Sequence, residues 1–292
     1  MAAPSRMGGG FARVGGVPMA IVTISHEMGA GGSVIGMALA DRLEWRYVDQ
    51  DMISQAARRY GCLEDKLSHL DETKPSFFER FDAETRHYIT VLQSAVLDVA
   101  ELDNVVIMGR SGQVLLQGVA HVLRVFVRGP FELRVRRVMQ KMADEGESVT
   151  ARAAAELVRR TDREKSGRMR YLFDVNWSDP ALYDLVITTE KLSLEAGVDL
   201  ILGLLHRPEL AATDASRQAV RDRALASRVR TALAAHPETR KYWITVEAEQ
   251  GVIRLKGTAT LEKATEVARA VPGVVDVKEE LLEVPPILPF VA

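Results

Sequence analysis

Short, mostly apolar runs alternate along this chain with longer stretches in which apolar residues recur every three or four positions. The first kind predicts buried strands, the second helices packed on them. Strand-like runs fall at Ala20–Ile24, Trp45–Val48, Val105–Met108, His121–Arg128 and Tyr183–Thr188. Between them, Ile35, Leu39 and Leu43 mark one helix, and Ile53, Ala56 and Ala57 another. A long helix is marked from about Phe77 by Phe81, Val91, Leu92, Ala95, Val96, Val99 and Leu102. Phe131, Val135, Val138 and Met142 line a further helix, whose Arg134, Arg136 and Arg137 read most simply as a solvated face. Thr150 caps a helix ending in the charged cluster Arg159–Lys165, and Ser193 opens one reaching about Leu205. Strands alternating with helices predict a mostly parallel, five-stranded, three-layer α/β domain with right-handed crossovers.

Beyond Leu205 the pattern changes. Residues 208–219 are polar and alanine-rich, which suits a linker. Leu225, Val229 and Leu233 mark a helix, and 242–248 and 251–259 alternate as strands around Gln250-Gly251. A second helix, 261–271, the turn Pro272-Gly273 and a strand from Val274 complete a small α+β module. It gathers no titratable cluster of the kind catalysis needs, so binding or assembly suits it better. Residues 1–18 are Gly- and Pro-rich and read as a flexible leader, and 285–292 as a proline-broken tail.

The candidate chemistry begins where the first strand meets the first helix, in TISHEMGAGGS. Strand, glycine turn and helix N-terminus together can hold a phosphate on backbone N–H groups. Against the standard phosphate loop, Gly31 takes the second glycine position and Ser33 the hydroxyl position. His26 stands at the first glycine position and Gly32 where the lysine belongs. A tight turn whose glycines accept left-handed backbone is the alternative. Asp49 and Asp51 follow the second strand, at the sheet edge where open α/β folds place ligands, or else cap the next helix. Arg110 ends the third strand and suits a phosphate through its planar fork, or a structural salt bridge. Arg86 faces a substrate phosphate or solvent. The arginines of 159–170 form either a mobile lid over polyphosphate or an ordinary ion-pair network.

Composition narrows the classes. A net charge of -2 over 292 residues gives no global field for nucleic acid or an anionic membrane. One cysteine, Cys62, excludes an intrachain disulfide and an all-cysteine metal cluster. No run approaches a membrane span and residues 1–19 hold no hydrophobic signal core, so a cytoplasmic protein without integral membrane association is expected.

Residues 19–207 resemble the cytidylate kinase-like family of nucleoside monophosphate kinases, with a P-loop kinase-like fold. The likeness rests on TISHEMGAGG with Ser33, WRYVDQDMI, VIMGR at 106–110, RVFVRGPFELRVRRV, RRTDREK at 159–165 and YDLVITTEKLSLE at 183–195. By that resemblance Gly29, Ala30, Gly31, Gly32, Ser33 and Val34 hold ATP, and Ser33 also holds Mg²⁺. Asp49, Asp51, Arg86 and Arg110 line the monophosphate side, and Arg110, Arg160, Arg163 and Arg168 stabilise the transferred group. The implied reaction is ATP plus a nucleoside monophosphate, CMP or dCMP at family level, giving ADP and the diphosphate. The loop departs from the family pattern at His26 and Ser33, which keeps open a catalytically weak nucleotide-binding sensor. Residues 220–284, through Ile244–Val246, GVIRLKGTA and VPGVVDVKEEL, resemble the BON domain. That implies a bacterial source, and regulation, homo-oligomerisation or a protein or lipid partner.

Overall fold

A computed structural model of the chain describes residues 13–14, 17–57, 83–257 and 261–281. In chain order its elements are β1 (Arg13–Val14), β2 (Val17–Pro18), β3 (Ile21–His26), α1 (Gly32–Leu43), β4 (Arg46–Val48), α2 (Gln50–Ala57) and α3 (Ala83–Ala100). Then come β5 (Val105–Met108), α4 (Gly112–Leu115), β6 (Val122–Arg128), α5 (Phe131–Asp144), α6 (Ala151–Phe173), β7 (Leu185–Thr188) and α7 (Leu194–Leu205). The chain continues through α8 (Asp214–Ala235), β8 (Thr245–Glu249), β9 (Val252–Gly257), α9 (Glu262–Arg269) and β10 (Asp276–Leu281). It divides into two compact units, Met1–Asp49 with Leu102–Thr213 and Gln50–Glu101 with Asp214–Ala292.

The first unit is built on a parallel sheet in the order β4-β5-β3-β6-β7. Its central strand β3 is buried at Ile21, Val22, Thr23 and Ile24, which explains why it reads as a continuous apolar run rather than an alternating one. Ile35 and Leu39 of α1, Val198 and Ile201 of α7, and Val106, Val125 and Ile187 of the strands share one core. The chain leaves β3 toward β4 on one side and leaves β6 toward β7 on the other. The carboxyl ends of β3 and β6 therefore flank the topological switch point, where such sheets bind ligands. Two details differ from expectation. β1 and β2 pair antiparallel inside the expected leader, being too short to show a period. And α6 does not stop at the charged cluster but runs to Phe173, ending where Asp174 turns left-handed at φ 52°. Nothing between Lys165 and Phe173 breaks a helix except Gly167, and one glycine is tolerated.

In the second unit β8 and β9 pair antiparallel and β10 joins β9 in parallel. Gln250 and Gly251, at φ 50° and 84°, make the two-residue hairpin whose backbone twist matches its strands. α8 begins at Asp214, inside the stretch expected as linker. One of its faces, with Leu225, Val229 and Leu233, joins Val246, Ile253, Leu255 and Ala264 in a core. Another packs on α3, where buried Ser94 Oγ lies 2.9 Å from Ser227 Oγ and 3.0 Å from Thr231 Oγ1. Arg228 closes that contact on Asp98 at 2.8 Å and on Glu101. Phe77, Phe81 and the 285–292 tail lie outside the described residues. Among the described residues no helix is long and apolar enough to cross a membrane.

Candidate functional site

The turn from β3 into α1 is shaped by glycines with no room for a side chain. Gly29 and Gly31 take φ 77° and 92°, and a Cβ on Gly29 would overlap the Arg134 carbonyl. A Cβ on Gly32 would overlap the His26 side chain. Gly31 caps α1 without a side-chain hydrogen bond, and the first turn of α1 carries no acid. Its leading N–H groups, which no helical carbonyl can satisfy, therefore keep their partial positive charge. Ser33 Oγ lies 3.4 Å from His26 Nε2 and is hydrogen-bonded to the Tyr47 phenol, whose pKa is raised by burial and then by Asp49. Ser33, Tyr47 and Asp49 thus meet on one side of the loop.

A clamp of charged groups holds the other side. Arg134 donates to the Gly129 carbonyl (2.9 Å), the Met28 carbonyl (3.1 Å) and Asp162 Oδ2 (2.6 Å), with Glu27 Oε2 at 3.4 Å. Asp162 in turn accepts from the Met28 N–H at 2.9 Å, and Glu27 from the Gly129 N–H at 3.0 Å. Arg137 donates to the Ala30 carbonyl (3.2 Å) and to Thr189 Oγ1 (2.8 Å), and Thr189 donates to the same carbonyl at 2.8 Å. Lys165 donates to the His26 carbonyl at 2.9 Å. Burial, helped by Arg168 and Arg134 and opposed by Asp162 and Glu27, pulls the Lys165 pKa down to about 8. Burial and the Lys165 charge push His26 down to about 3, so its imidazole is neutral at pH 7. Arg134, Arg137 and Lys165 outnumber Glu27 and Asp162, leaving the clamp a net cation suited to an anionic ligand.

The residues singled out in sequence divide into two groups. Gly29, Ala30, Gly31, Gly32 and Ser33 form the loop, and Val34 is half-exposed in the first turn of α1. Asp49 lies beside Tyr47. Arg110 follows β5 with φ 52°, and the N–H of the preceding Gly109 donates to the Ile24 carbonyl of β3 at 2.9 Å. Ser111 Oγ, next to Arg110 in the chain, contacts Met169 Sδ at 3.2 Å and so ties α6 to the end of β5; Arg168 acts on Lys165. The remaining ones form the second group. Arg160 and Arg163 are exposed, Arg160 near Glu164 at 3.8 Å. Asp51 is exposed in the first turn of α2, in the other unit, and the Arg86 side chain lies outside the described residues. The solvated face expected for α5 is corrected: Arg136 is exposed, but Arg134 is buried and Arg137 half-buried against the loop. Sequence reading also missed Asp162 and Lys165, whose spacing with Met169 (i, i+3, i+7) already defines one helix face.

Residues 21–191 match the model of the cytidylate kinase-like family, and residues 221–286 match the BON domain. A cytidylate kinase of Sulfolobus acidocaldarius is 27% identical over 193 residues, covering 65% of this chain and 96% of that protein. One from Staphylothermus marinus is 27% identical over 190 residues, covering 65% and 98%. The crystal structure of an uncharacterized protein from Eubacterium ventriosum superposes with a TM-score of 0.51 at 22% identity, covering 64% of this chain and 97% of that one. It bears on the fold alone. The named curated relatives are archaeal, which overturns the bacterial source read from the tail.

Proposed function

Because this chain belongs to the cytidylate kinase-like family, we propose that it transfers the terminal phosphoryl group of ATP to a nucleoside monophosphate, CMP or dCMP being the first acceptors to try. The observation that carries the reading is the loop itself. Glycines too tightly packed to bear side chains lead into an uncapped, acid-free helix N-terminus at the switch point of a parallel sheet. In this reading residues 29–33 cradle the β-phosphate, and Arg110 and Arg168 receive the acceptor phosphate from one side, with Asp49 near the acceptor. Phosphoryl transfer needs alignment and charge compensation more than a base, and in this reading the arginines supply the charge compensation. Ser33 is the residue that would hold Mg²⁺, its hydroxyl being a hard oxygen donor at the start of α1. Among the described residues no three His, Cys, Asp or Glu side chains gather as a cage, and Mg²⁺ commonly relies on substrate phosphates instead. When bound, Mg²⁺ neutralises charge on the transferred group.

The 220–284 module is assigned docking or self-association. A second reading, a nucleotide-binding sensor with little transfer activity, is favoured by the shared packing of α3 and α8, which ties the family-matched segment to the tail. ADP release by the full chain with ATP, Mg²⁺ and each common nucleoside monophosphate separates the two. One monophosphate is expected to stimulate release. If none does while ATP still binds, the kinase assignment fails and the sensor stands.

A further inference from the structure

The loop lacks the lysine that ordinarily reaches the β- and γ-phosphates, and the structure shows that it has no place for one. Position 32, where that lysine would sit, is closed by the His26 side chain. His26 itself is neutral at pH 7 and supplies no charge. One ammonium nevertheless reaches the loop, from a different element. Lys165 of α6 places Nζ 2.9 Å from the carbonyl of His26, the residue through which β3 enters the loop.

We propose that Lys165 supplies to the bound polyphosphate the positive charge that an ordinary phosphate loop takes from its own lysine. The inference rests on the ATP site proposed above and names the residue that completes it. Three features carry it. The lysine is held in place by its neighbours on α6: Asp162, one turn before it, is fixed to the Met28 N–H and to Arg134, and Met169, one turn after it, is fixed to Ser111. Its ammonium donates to a carbonyl, a neutral acceptor that leaves its charge in place, and among the described residues no carboxylate forms a direct ion pair with it. And the Trp177 ring, its centroid 5.8 Å from Nζ, adds a cation–π contact that favours the charged ammonium. A lysine serving only to tie α6 down would be redundant beside the Arg134–Asp162 pair.

The groups facing Lys165 are Asp162 on its own helix, Glu27 and neutral His26 from the loop, Arg134 from α5, and Arg168 one turn on. With its proton held less firmly than in water, the free protein should lose this charge through a pH near 8. ATP affinity should then fall between pH 7 and 9, whereas Lys165→Arg, which stays charged, should bind ATP evenly across that range.

The test uses the full chain and calorimetric titration with ATP, ADP and AMP. Lys165→Met should weaken ATP and ADP at least tenfold and AMP less than twofold. Unchanged ATP affinity in Lys165→Met, or equal losses for ATP and AMP, overturns the proposal. If that variant does not fold, the wild-type profile decides: an ATP affinity flat from pH 7 to 9 also overturns it. The kinase assignment is scored apart. Lysine-dependent ATP binding without monophosphate-stimulated ADP release sinks the kinase and keeps the lysine. Monophosphate-stimulated release with lysine-independent binding does the reverse, and a wild-type chain that binds no ATP overturns both.

Discussion

Arg134 is the keystone of the loop, and its removal has a calculable consequence. The side chain is 8% exposed and joins four groups: two carbonyls, Asp162 at 2.6 Å and Glu27 at 3.4 Å. Arg134→Met keeps much of the volume but leaves two carboxylates without the guanidinium that pairs them, with only the more distant Lys165 ammonium nearby. Breaking a buried pair costs about 3–5 kcal/mol, and because Asp162 and Glu27 retain some solvent the lower end, about 3 kcal/mol, applies. For a unit of this size that is a fall in Tm of roughly 6–12 °C. Asp162→Asn keeps an oxygen for the Met28 N–H and should cost about 1 kcal/mol. The double variant should then recover at least about 1 kcal/mol of the summed losses, because no unpaired Asp162 carboxylate remains. Urea unfolding followed by Trp45 and Trp177 fluorescence, in a Trp243→Phe background, reads the first unit alone. A single-variant loss under about 1 kcal/mol, or additivity within about 0.5 kcal/mol, refutes the clamp.

Other outcomes follow from the same geometry. Restoring the missing lysine, Gly32→Lys, should destabilise the chain by about 1–3 kcal/mol through overlap with His26 and should not tighten ATP binding; a gain in both Tm and affinity would contradict the closed position. His26 is held neutral with a pKa of about 3 against 6.5. The unfolded chain therefore binds the extra proton, and stability present above pH 6.5 is lost toward pH 3 with a slope of up to about 1.4 kcal/mol per pH unit. His26→Gln should flatten that slope in Tm measured from pH 4 to 8, and an unchanged slope would place the acid sensitivity elsewhere. In the second unit, Ser227→Leu should cost about 1–3 kcal/mol by wedging α8 from α3; unaltered urea unfolding would show that the contact is loose.

The sheet was legible because central parallel strands are apolar on both faces, so β3 and β5 appear as near-continuous runs. The glycine loop was legible as a shape but not as a charge distribution, since the cations that serve it come from α5 and α6. A signal for Arg134 existed: it stands three residues after Phe131 and four before Val138, on the apolar stripe of α5 rather than opposite it. On α6 the number of arginines drew attention to positions 160 and 163, whereas the face was set by Asp162, Lys165 and Met169. The stretch 214–219 looked like linker because small and polar side chains resemble a loop in composition. The same Ser, Ala and Thr residues farther along α8 let another helix approach closely.

That approach sets a schedule for synthesis. Ser94 and Ser227 are 133 residues apart in sequence. At a translation rate of about 5–20 residues per second, α3 leaves the ribosome roughly 7–27 s before the helix that covers it exists. During that interval its Ser94 face has no partner from α8, and no amount of local helix propensity shortens the wait. The nascent chain must stay soluble with that face open, which makes these seconds the time when a chaperone has most to contribute.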